Sequence, residues 1–105
     1  MTGQRINTLG NAVYIRLTTP LGSWWKDPTV GSRLHELKRS KDLPRVGKLA
    51  AQYAEQALQP LLDDGRAQAI SVTYEQPHNG WLNLLIEVVD VTGNPQVFRQ
   101  PVRVN

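Results

Sequence analysis

Cysteine is absent from this sequence of 105 residues. Its absence excludes disulfide bonds, thiolate metal sites, iron–sulfur clusters and cysteine nucleophiles together. No apolar run is long enough for a membrane span or resembles the hydrophobic part of a signal peptide. We therefore expect a protein that is made in a reducing cytoplasm and used there, or assembled there into something larger that is exported.

Recognisable catalytic motifs are also missing. The two histidines, His35 and His78, are too few for a histidine-rich metal site, and neither G-x-S-x-G nor G-x-G-x-x-G occurs. The segment 46–49 resembles the end of a P-loop. However, Leu49 stands where the magnesium-binding Ser or Thr is needed, and Asp42 where the first glycine is needed.

A glycosidase would need two carboxylates across a cleft, one of them with a raised pKa. Nothing in the spacing of the acidic residues selects such a pair. The acids available for it are Glu36, Asp42, Glu55, Glu75, Glu87 and Asp90. The sequence therefore predicts a protein that is not an enzyme and holds no cofactor or metal.

Charge is distributed unevenly along the chain. The net charge is +3, from 12 Lys and Arg against 9 Asp and Glu. Residues 26–48 carry seven bases and three acids, whereas residues 49–105 carry three bases and six acids. Such asymmetry favours a protein that binds partners through one basic patch over a general polyanion binder.

The length predicts one domain spanning 1–105, and a hydrophobic content of 40% is enough for a packed core. Residues 1–11 are polar and predict a weakly ordered arm before a core of residues 12–105. Val13, Ile15 and Leu17 alternate with polar neighbours, which is typical of a strand. Thr19–Gly22 ends this strand.

Two helices are expected next. Val30, Leu34 and Leu37 share one face of a short helix over about 31–39, which Thr29 or Ser32 could cap. The apolar positions from Val46 to Leu62 then follow helical spacing for over four turns. For this longer helix we expect Asp42 as N-cap, Pro44 in the first turn, a kink or tightened turn at Pro60 and a stop at Gly65.

Three strands should follow, near 70–75, 81–91 and 96–104, separated by the turn signals 77–80 and 92–95. Leu82, Leu84, Ile86 and Val88 share one face of the second strand, and Pro101 favours an edge position or a bulge for the third. The order β-α-α-β-β-β predicts an α+β fold: an antiparallel meander plus an N-terminal strand, with two helices packed on one face.

The adjacent Trp24 and Trp25 form the most unusual local feature. One ring could plug the core while the other covers it. The pair could instead anchor an interface, or stack on a sugar or base together with Trp81. The sequence leaves these alternatives open.

The longer helix carries charges that oppose its dipole. Arg45 and Lys48 lie near its start, and Asp63 and Asp64 lie at its end. Exposed charges tolerate this cheaply, but the bases could also serve a partner. The second alternative predicts a basic edge that faces an acidic protein surface, formed by Lys38, Arg39, Lys41, Arg45 and Lys48.

Several segments resemble those of the small Mu-type phage baseplate protein family. They are Gly22-Ser23-Trp24-Trp25-Lys26-Asp27, then Gly31-Ser32-Arg33-Leu34-His35-Glu36-Leu37, the helix end Leu61-Leu62-Asp63-Asp64-Gly65, and Ala69-Ile70-Ser71-Val72. The resemblance covers roughly residues 12–76. This sequence has His35 where the family usually has Trp.

The resemblance implies a structural subunit of a contractile-tail baseplate, similar to the lysozyme-like wedge protein of larger phages. Such subunits act as sheath initiators that join wedge proteins to the first sheath ring, partly by β-strand addition. It implies multiple copies in a virion tail assembled in the host cytoplasm, with baseplate wedge proteins and tail sheath protein as partners and neither membrane nor nucleic acid. The expected partner-binding residues are Trp24, Trp25, Arg33 and the five bases of the basic edge. Residues 1–11 or the strand near 96–104 are expected to join a neighbour's sheet.

Two alternatives remain from the residues alone. A small nucleic-acid-binding module would need the bases of 26–48 on one face with aromatic rings nearby, and its affinity would fall steeply with salt. A peptidoglycan hydrolase would lose turnover when Glu36 or Glu55 is replaced.

Overall fold

The computed structural model describes residues 8–104. Helix α1 spans Thr8–Thr18, a 3₁₀ helix spans Leu34–Arg39, and helix α2 spans Pro44–Asp63. Three strands follow: β1 (Ala67–Glu75), β2 (Trp81–Asp90) and β3 (Pro95–Arg103). No helix among these residues is both long and apolar enough to cross a membrane.

The three strands form one antiparallel sheet in the order β1-β2-β3. The predicted α+β class and the meander are therefore confirmed. β2 is central, and its alternate residues Leu82, Leu84, Ile86 and Val88 are fully buried, as their spacing predicts. β3 is an edge strand, as Pro101 indicates, and its register runs regularly through the Asn83–Pro101 pair. The irregularity lies instead in β1, between Ala67 and Ala69.

Helix α2 supplies the layer that covers this sheet. Its inward stripe contains small residues, Ala50, Ala54 and Ala57, together with Leu58 and Leu61. Alanines in the stripe let a helix approach a sheet closely, while the leucines fill the space between them. The helix ends as predicted at Gly65, whose φ of +74° suits glycine, and the amides of Gly65 and Arg66 donate to the carbonyls of Leu62 and Leu61.

The predicted N-terminal strand is wrong, because residues 8–18 form helix α1. Val13 and Leu17 are four residues apart, so they satisfy a helical face as well as a strand alternation. The helix buries both and leaves Ile15 49% exposed; a strand would have placed all three on one face. Residues 8–11 of the predicted arm belong to this helix, while residues 1–7 lie outside the described part of the chain.

The short helix is confirmed as a 3₁₀ helix that begins later than predicted, at Leu34. Its buried face contains Leu34 and Leu37, beside the buried Val30. Thr29 does not cap it, since its amide and hydroxyl donate to Asp27. The hydroxyl of Ser32 does accept a bond from the Leu34 amide, at 3.3 Å.

Asp42 is not the N-cap of α2, which is Leu43 without a side-chain capping bond. The carboxylate of Asp42 instead accepts bonds from residues that follow β1: Gln76, His78 and the amide of Gly80. These more distant donors outcompete the local helix amides. Asp42 thus ties the β1–β2 turn to the start of α2.

Gly47 explains the apparent P-loop ending. It is buried on the first turns of α2, and a Cβ there would collide with the Tyr74 ring and lie 2.6 Å from Oε1 of Gln76. The glycine therefore allows α2 to approach the end of β1, which is a packing role rather than a phosphate-binding one.

Gly47→Ala should lower the free energy of unfolding by about 1–2 kcal/mol, because overpacking outweighs the roughly 1 kcal/mol gain in helix propensity. Urea unfolding followed by circular dichroism measures the change. Lys48→Ala, on the exposed side of the same turn, is the matched control and should stay within about 0.5 kcal/mol. A stabilised Gly47→Ala protein would contradict the close approach of α2 and β1.

Candidate functional site: an aromatic loop and a basic groove

The loop that carries the two tryptophans is closed at its base. We call residues 21–31 the Trp loop. Just outside it, Pro20 and Ser32 form a parallel bridge: the Leu21 amide donates to the Ser32 carbonyl and the Ser32 amide donates to the Thr19 carbonyl, both at 2.9 Å. The Ser32 hydroxyl, which is buried, donates to the carbonyl of Leu17 at 2.7 Å. These bonds fasten the loop to the end of α1.

Internal bonds also order the Trp loop. The Ser23 hydroxyl donates to the Pro20 carbonyl, and the Asp27 amide donates to the Trp24 carbonyl. The hydroxyl and amide of Thr29 both donate to the carboxylate of Asp27 and hold its pKa below the usual value. The loop is therefore a structured projection rather than a slack connection.

The tryptophans of this loop face outward. Trp25 is 82% exposed and Trp24 43%, and neither belongs to the core. The ammonium group of Lys26 lies 5.5 Å from the centre of the Trp25 ring. Of the alternatives left open by the sequence, the one in which either ring plugs the core does not hold, because the buried cluster contains neither tryptophan. An exposed indole on a bonded loop has the properties of an interface anchor.

Arg33 supports the loop rather than extending the basic edge. Its guanidinium binds both carboxylate oxygens of Glu36 at 3.1 Å and lies 4.7 Å from the centre of the Tyr53 ring on α2. The ion pair raises the pKa of Arg33 and lowers that of Glu36. Arg33 and Tyr53 also line a cavity of about 390 Å³ between the Trp loop and α2, together with Leu21, Pro28, Thr29, Gly31, Ser32, Gln56 and Ala57.

Four of the predicted bases do come together. Arg39, Lys41, Arg45 and Lys48 line an open groove of about 710 Å³ at the start of α2. We call it the basic groove; its other lining residues are Ser40, Leu43, Val46, Leu49 and Gln52. No acidic residue is among these nine. Lys38 is separated from the groove and lines a different cavity, beside His35 and β3.

The Asp42 cluster lies at the edge of this groove. Gln76 Nε2 donates to Oδ1 of Asp42 at 2.7 Å, and His78 Nδ1 lies 3.0 Å from the same oxygen. The Asp42 side chain is only 15% exposed. These bonds, the one from Gln76 first, hold the pKa of Asp42 below its usual value.

Sequence reasoning missed several of the residues that shape these surfaces. Ser32 and Gly31 fasten the Trp loop, and Leu43, 37% exposed, gives the basic groove an apolar wall. The bonds from Gln76 and His78 to Asp42 span more than thirty residues and leave no local signal.

The described acids form no group that could hold a metal ion; residues 8–104 contain no cluster of three or more His, Asp or Glu. Hydrogen bonds lower the pKa of three of the six acids considered for a glycosidase: Glu36 through Arg33, Asp42 through Gln76 and Asp90 through Thr92. A general acid requires the opposite shift.

Residues 9–95 match the family described as phage protein GP46. The chain belongs to this family. The resemblance visible in the sequence is thereby confirmed, and the matched range contains both the Trp loop and the basic groove.

Two curated relatives support the assignment. Baseplate protein gp46 of Escherichia phage Mu is 45% identical over 78 residues, which cover 66% of this chain and 54% of that protein. Mu-like prophage FluMu protein gp46 of Haemophilus influenzae is 38% identical over 100 residues, which cover 86% of this chain and 74% of that protein. The match therefore spans only about half the length of the Mu protein.

A crystal structure from Geobacter sulfurreducens, described as that of a candidate tail lysozyme, has the same fold. Its TM-score is 0.78 with 21% identity, covering 96% of this chain and 92% of the other. At that identity the likeness concerns the fold alone.

Gly31→Ala should destabilise the protein far more than Gly22→Ala. Both glycines have positive φ, of +123° and +86°, so each alanine incurs left-handed strain of about 1–2 kcal/mol. At Gly31 a Cβ would also collide with the Thr19 carbonyl and lie 2.9 Å from the Leu21 amide, whereas nothing lies within 4 Å at Gly22. We expect at least about 2 kcal/mol more loss for Gly31→Ala in urea unfolding. Equal losses would show that the base of the loop is not rigid.

Asp42→Asn should lower the unfolding midpoint at pH 7, because the folded-state pKa of Asp42 lies below the unfolded value of about 3.9. The carboxylate stabilises the fold above that pH, and this contribution is lost as the pH falls through the folded-state pKa. The difference between wild type and variant should therefore shrink below about pH 4. Glu87→Gln, on the exposed face of β2, serves as control; a pH-independent difference for Asp42→Asn would argue against the carboxylate bonds.

Proposed function

We propose that this chain is a structural component of the baseplate of a contractile phage tail or phage-derived tail. In this role it acts as a wedge and sheath-initiator subunit that connects baseplate proteins to the first sheath ring. The observation that most supports this proposal is the Trp loop, a projection closed at its base by hydrogen bonds, on which Trp25 is 82% exposed. Because the loop is already bonded, its backbone loses little conformational freedom on binding, which suits a permanent protein contact through the exposed indole.

Family membership supports the location. The Mu relative is named as a baseplate protein, and the Haemophilus relative carries the same gp46 designation. We infer from these names that this chain resides in the virion tail. We further propose that it is present in several copies, with wedge proteins and the sheath protein as its partners.

Two separate surfaces support a connecting role. The Trp loop is apolar and aromatic at its tip, whereas the basic groove is lined by four cations. Surfaces of such different chemistry select different partners. A subunit that joins unlike neighbours needs two such surfaces.

Strand addition has two available edges in this fold. The sequence favours β3 or the arm of residues 1–11 as the segment that joins a neighbour's sheet. In the structure residues 8–11 are helical. β3 contains Pro95 and Pro101, whose backbone nitrogens cannot donate a hydrogen bond. β1 is the other edge of the sheet and contains no proline. We propose β1 as the better edge for a neighbour's strand, although the sequence points to β3.

The role proposed is not enzymatic. Local hydrogen bonds lower the pKa of Glu36, Asp42 and Asp90, which makes these three groups unsuited to act as the general acid in glycoside hydrolysis, where one carboxyl group must hold its proton near neutral pH. The bases of the groove have no aromatic residue among their lining partners, so nothing specific favours single-stranded nucleic acid as the ligand.

Trp25→Ala should reduce incorporation of the protein into tails by about tenfold or more, the loss expected for an interface anchor. In a phage or prophage that encodes this chain, the chromosomal copy is deleted and variants are supplied in trans. Quantitative mass spectrometry of purified tails then measures the copies bound. Tyr14→Ala removes another exposed aromatic ring, on α1, and should incorporate normally. The proposal fails if wild-type protein is absent from the tails, or if both variants incorporate as wild type does.

Purified protein should not release fragments from peptidoglycan, and Glu36→Gln and Glu55→Gln should leave the background unchanged. The measurement is reducing-end release from purified cell walls, with hen egg-white lysozyme as the positive control. Turnover that disappears with either substitution would establish an enzyme and contradict the structural role as the whole function.

A further inference from the structure

The cations of the basic groove have no counter-charge of their own. Within residues 8–104 the close contacts between acidic and basic side chains are Arg33 with Glu36 and His78 with Asp42, so none of Arg39, Lys41, Arg45 and Lys48 takes part in one. The nearest acids in sequence are already bound elsewhere, Glu36 to Arg33 and Asp42 to Gln76. Residues 1–7 and 105 contain no aspartate or glutamate.

Position on the helix strengthens the positive field. Arg45 and Lys48 lie in the first turns of α2, a 20-residue helix, where the dipole already carries partial positive charge. The nearest carboxylate in sequence, Asp42, is bound to Gln76 and forms no ion pair with these cations, so no direct ion pair within the described residues neutralises them. An anionic group bound between these side chains would relieve their mutual repulsion, which is the electrostatic complementarity expected of a docking site.

The groove is not purely polar. Leu43 is 37% exposed on one wall, Leu49 is half-buried, and the buried Val46 lies beneath them. The volume of about 710 Å³ lies within the range of pockets that enclose several side chains or a small ligand. An apolar wall between cations fits a ligand that presents an aliphatic group beside negative charges.

We propose that the basic groove binds an acidic segment of a partner protein, with an aliphatic side chain of that segment seated against Leu43 and Leu49. Carboxylates on either side of this side chain pair with Arg39, Lys41, Arg45 and Lys48. A nucleic acid would use the cations but leave the apolar wall without a match, because the groove offers no aromatic residue on which a base could stack.

This inference deepens the proposed function by giving the chemistry of one baseplate partner. It can fail independently. A peptide-binding measurement examines the groove alone, whereas incorporation into tails through Trp25 examines the baseplate role.

The probe is a fluorescein-labelled ten-residue peptide of glutamates with one central leucine, titrated into the full chain by fluorescence anisotropy. A peptide with central alanine and a ten-residue oligothymidylate are measured in parallel at the same ionic strength. We expect the leucine peptide to bind at least about threefold more tightly than the alanine peptide, because of the leucine's additional buried apolar surface. It should also bind more tightly than the oligonucleotide.

The double variant R45E/K48E should weaken binding of the leucine peptide by at least about tenfold. R66E/R99E makes the same change in net charge outside the groove, on exposed positions, and should change it by less than about twofold. Leu43→Gln keeps all the cations and should abolish the preference for leucine over alanine. Circular dichroism confirms that each variant is folded.

Three results would overturn the proposal. Equal loss in the two charge variants would reduce the effect to net charge. Equal affinity for the two peptides would remove the role of the apolar wall. Tighter binding of the oligonucleotide would assign the groove to nucleic acid. A fourth result would come from sedimentation equilibrium of the unliganded chain. If the protein self-associates and R45E/K48E abolishes that association, the groove is occupied by a second copy of the chain rather than by a partner protein.

Discussion

The packing of the inward stripe of α2 against the sheet is the constraint on which the rest of the structure depends; the helix lies closest to β1, and its stripe shares one core with the buried face of β2. Ala50, Ala54 and Leu58 on the helix, and Leu84 and Ile86 on the strand, are completely buried. Each large aliphatic side chain removed from water in this way contributes about 1.5–3 kcal/mol. A three-stranded sheet relies on such a layer for its stability, and within residues 8–104 all the helices lie before β1 in the chain and share one core with the buried face of β2.

Both candidate surfaces are arranged by the same helix. Its first turns carry Arg45 and Lys48 into the basic groove, and Gly47 lets that end settle against β1. Further along, Tyr53 packs under Arg33, which flanks the base of the Trp loop. One rigid element therefore holds an aromatic projection and a basic groove at fixed positions relative to each other, an arrangement suited to a subunit that joins unlike neighbours.

The sequence predicts the parts of this fold that local pattern controls. In helix α2 and in the three strands, the spacing of the apolar residues fits only one type of secondary structure. In helix α1 it does not, because Val13 and Leu17 satisfy both periods and only the position of the core decides between them. From the sequence Asp42 is expected to be an N-cap, but its carboxylate is bound instead by Gln76 and His78, which are over thirty residues away.

The candidate site was partly predictable for the same reason. Arg39, Lys41, Arg45 and Lys48 are close in sequence and converge, whereas the 3₁₀ turn directs Lys38 to another cavity. The exposure of Trp25 could not be predicted, since a doubled tryptophan suits a core as well as an interface. The exposure follows from the closure of the loop by the bridge between Pro20 and Ser32. Nothing in the sequence around these two residues indicates that they pair.

Cryo-electron microscopy of an intact tail from a phage that encodes this chain tests the central claim most directly. We expect density for this fold at the baseplate, with Trp25 buried against one neighbouring protein and the basic groove occupied by an acidic segment of another. A tail without this fold, or one in which both surfaces face solvent, would contradict it.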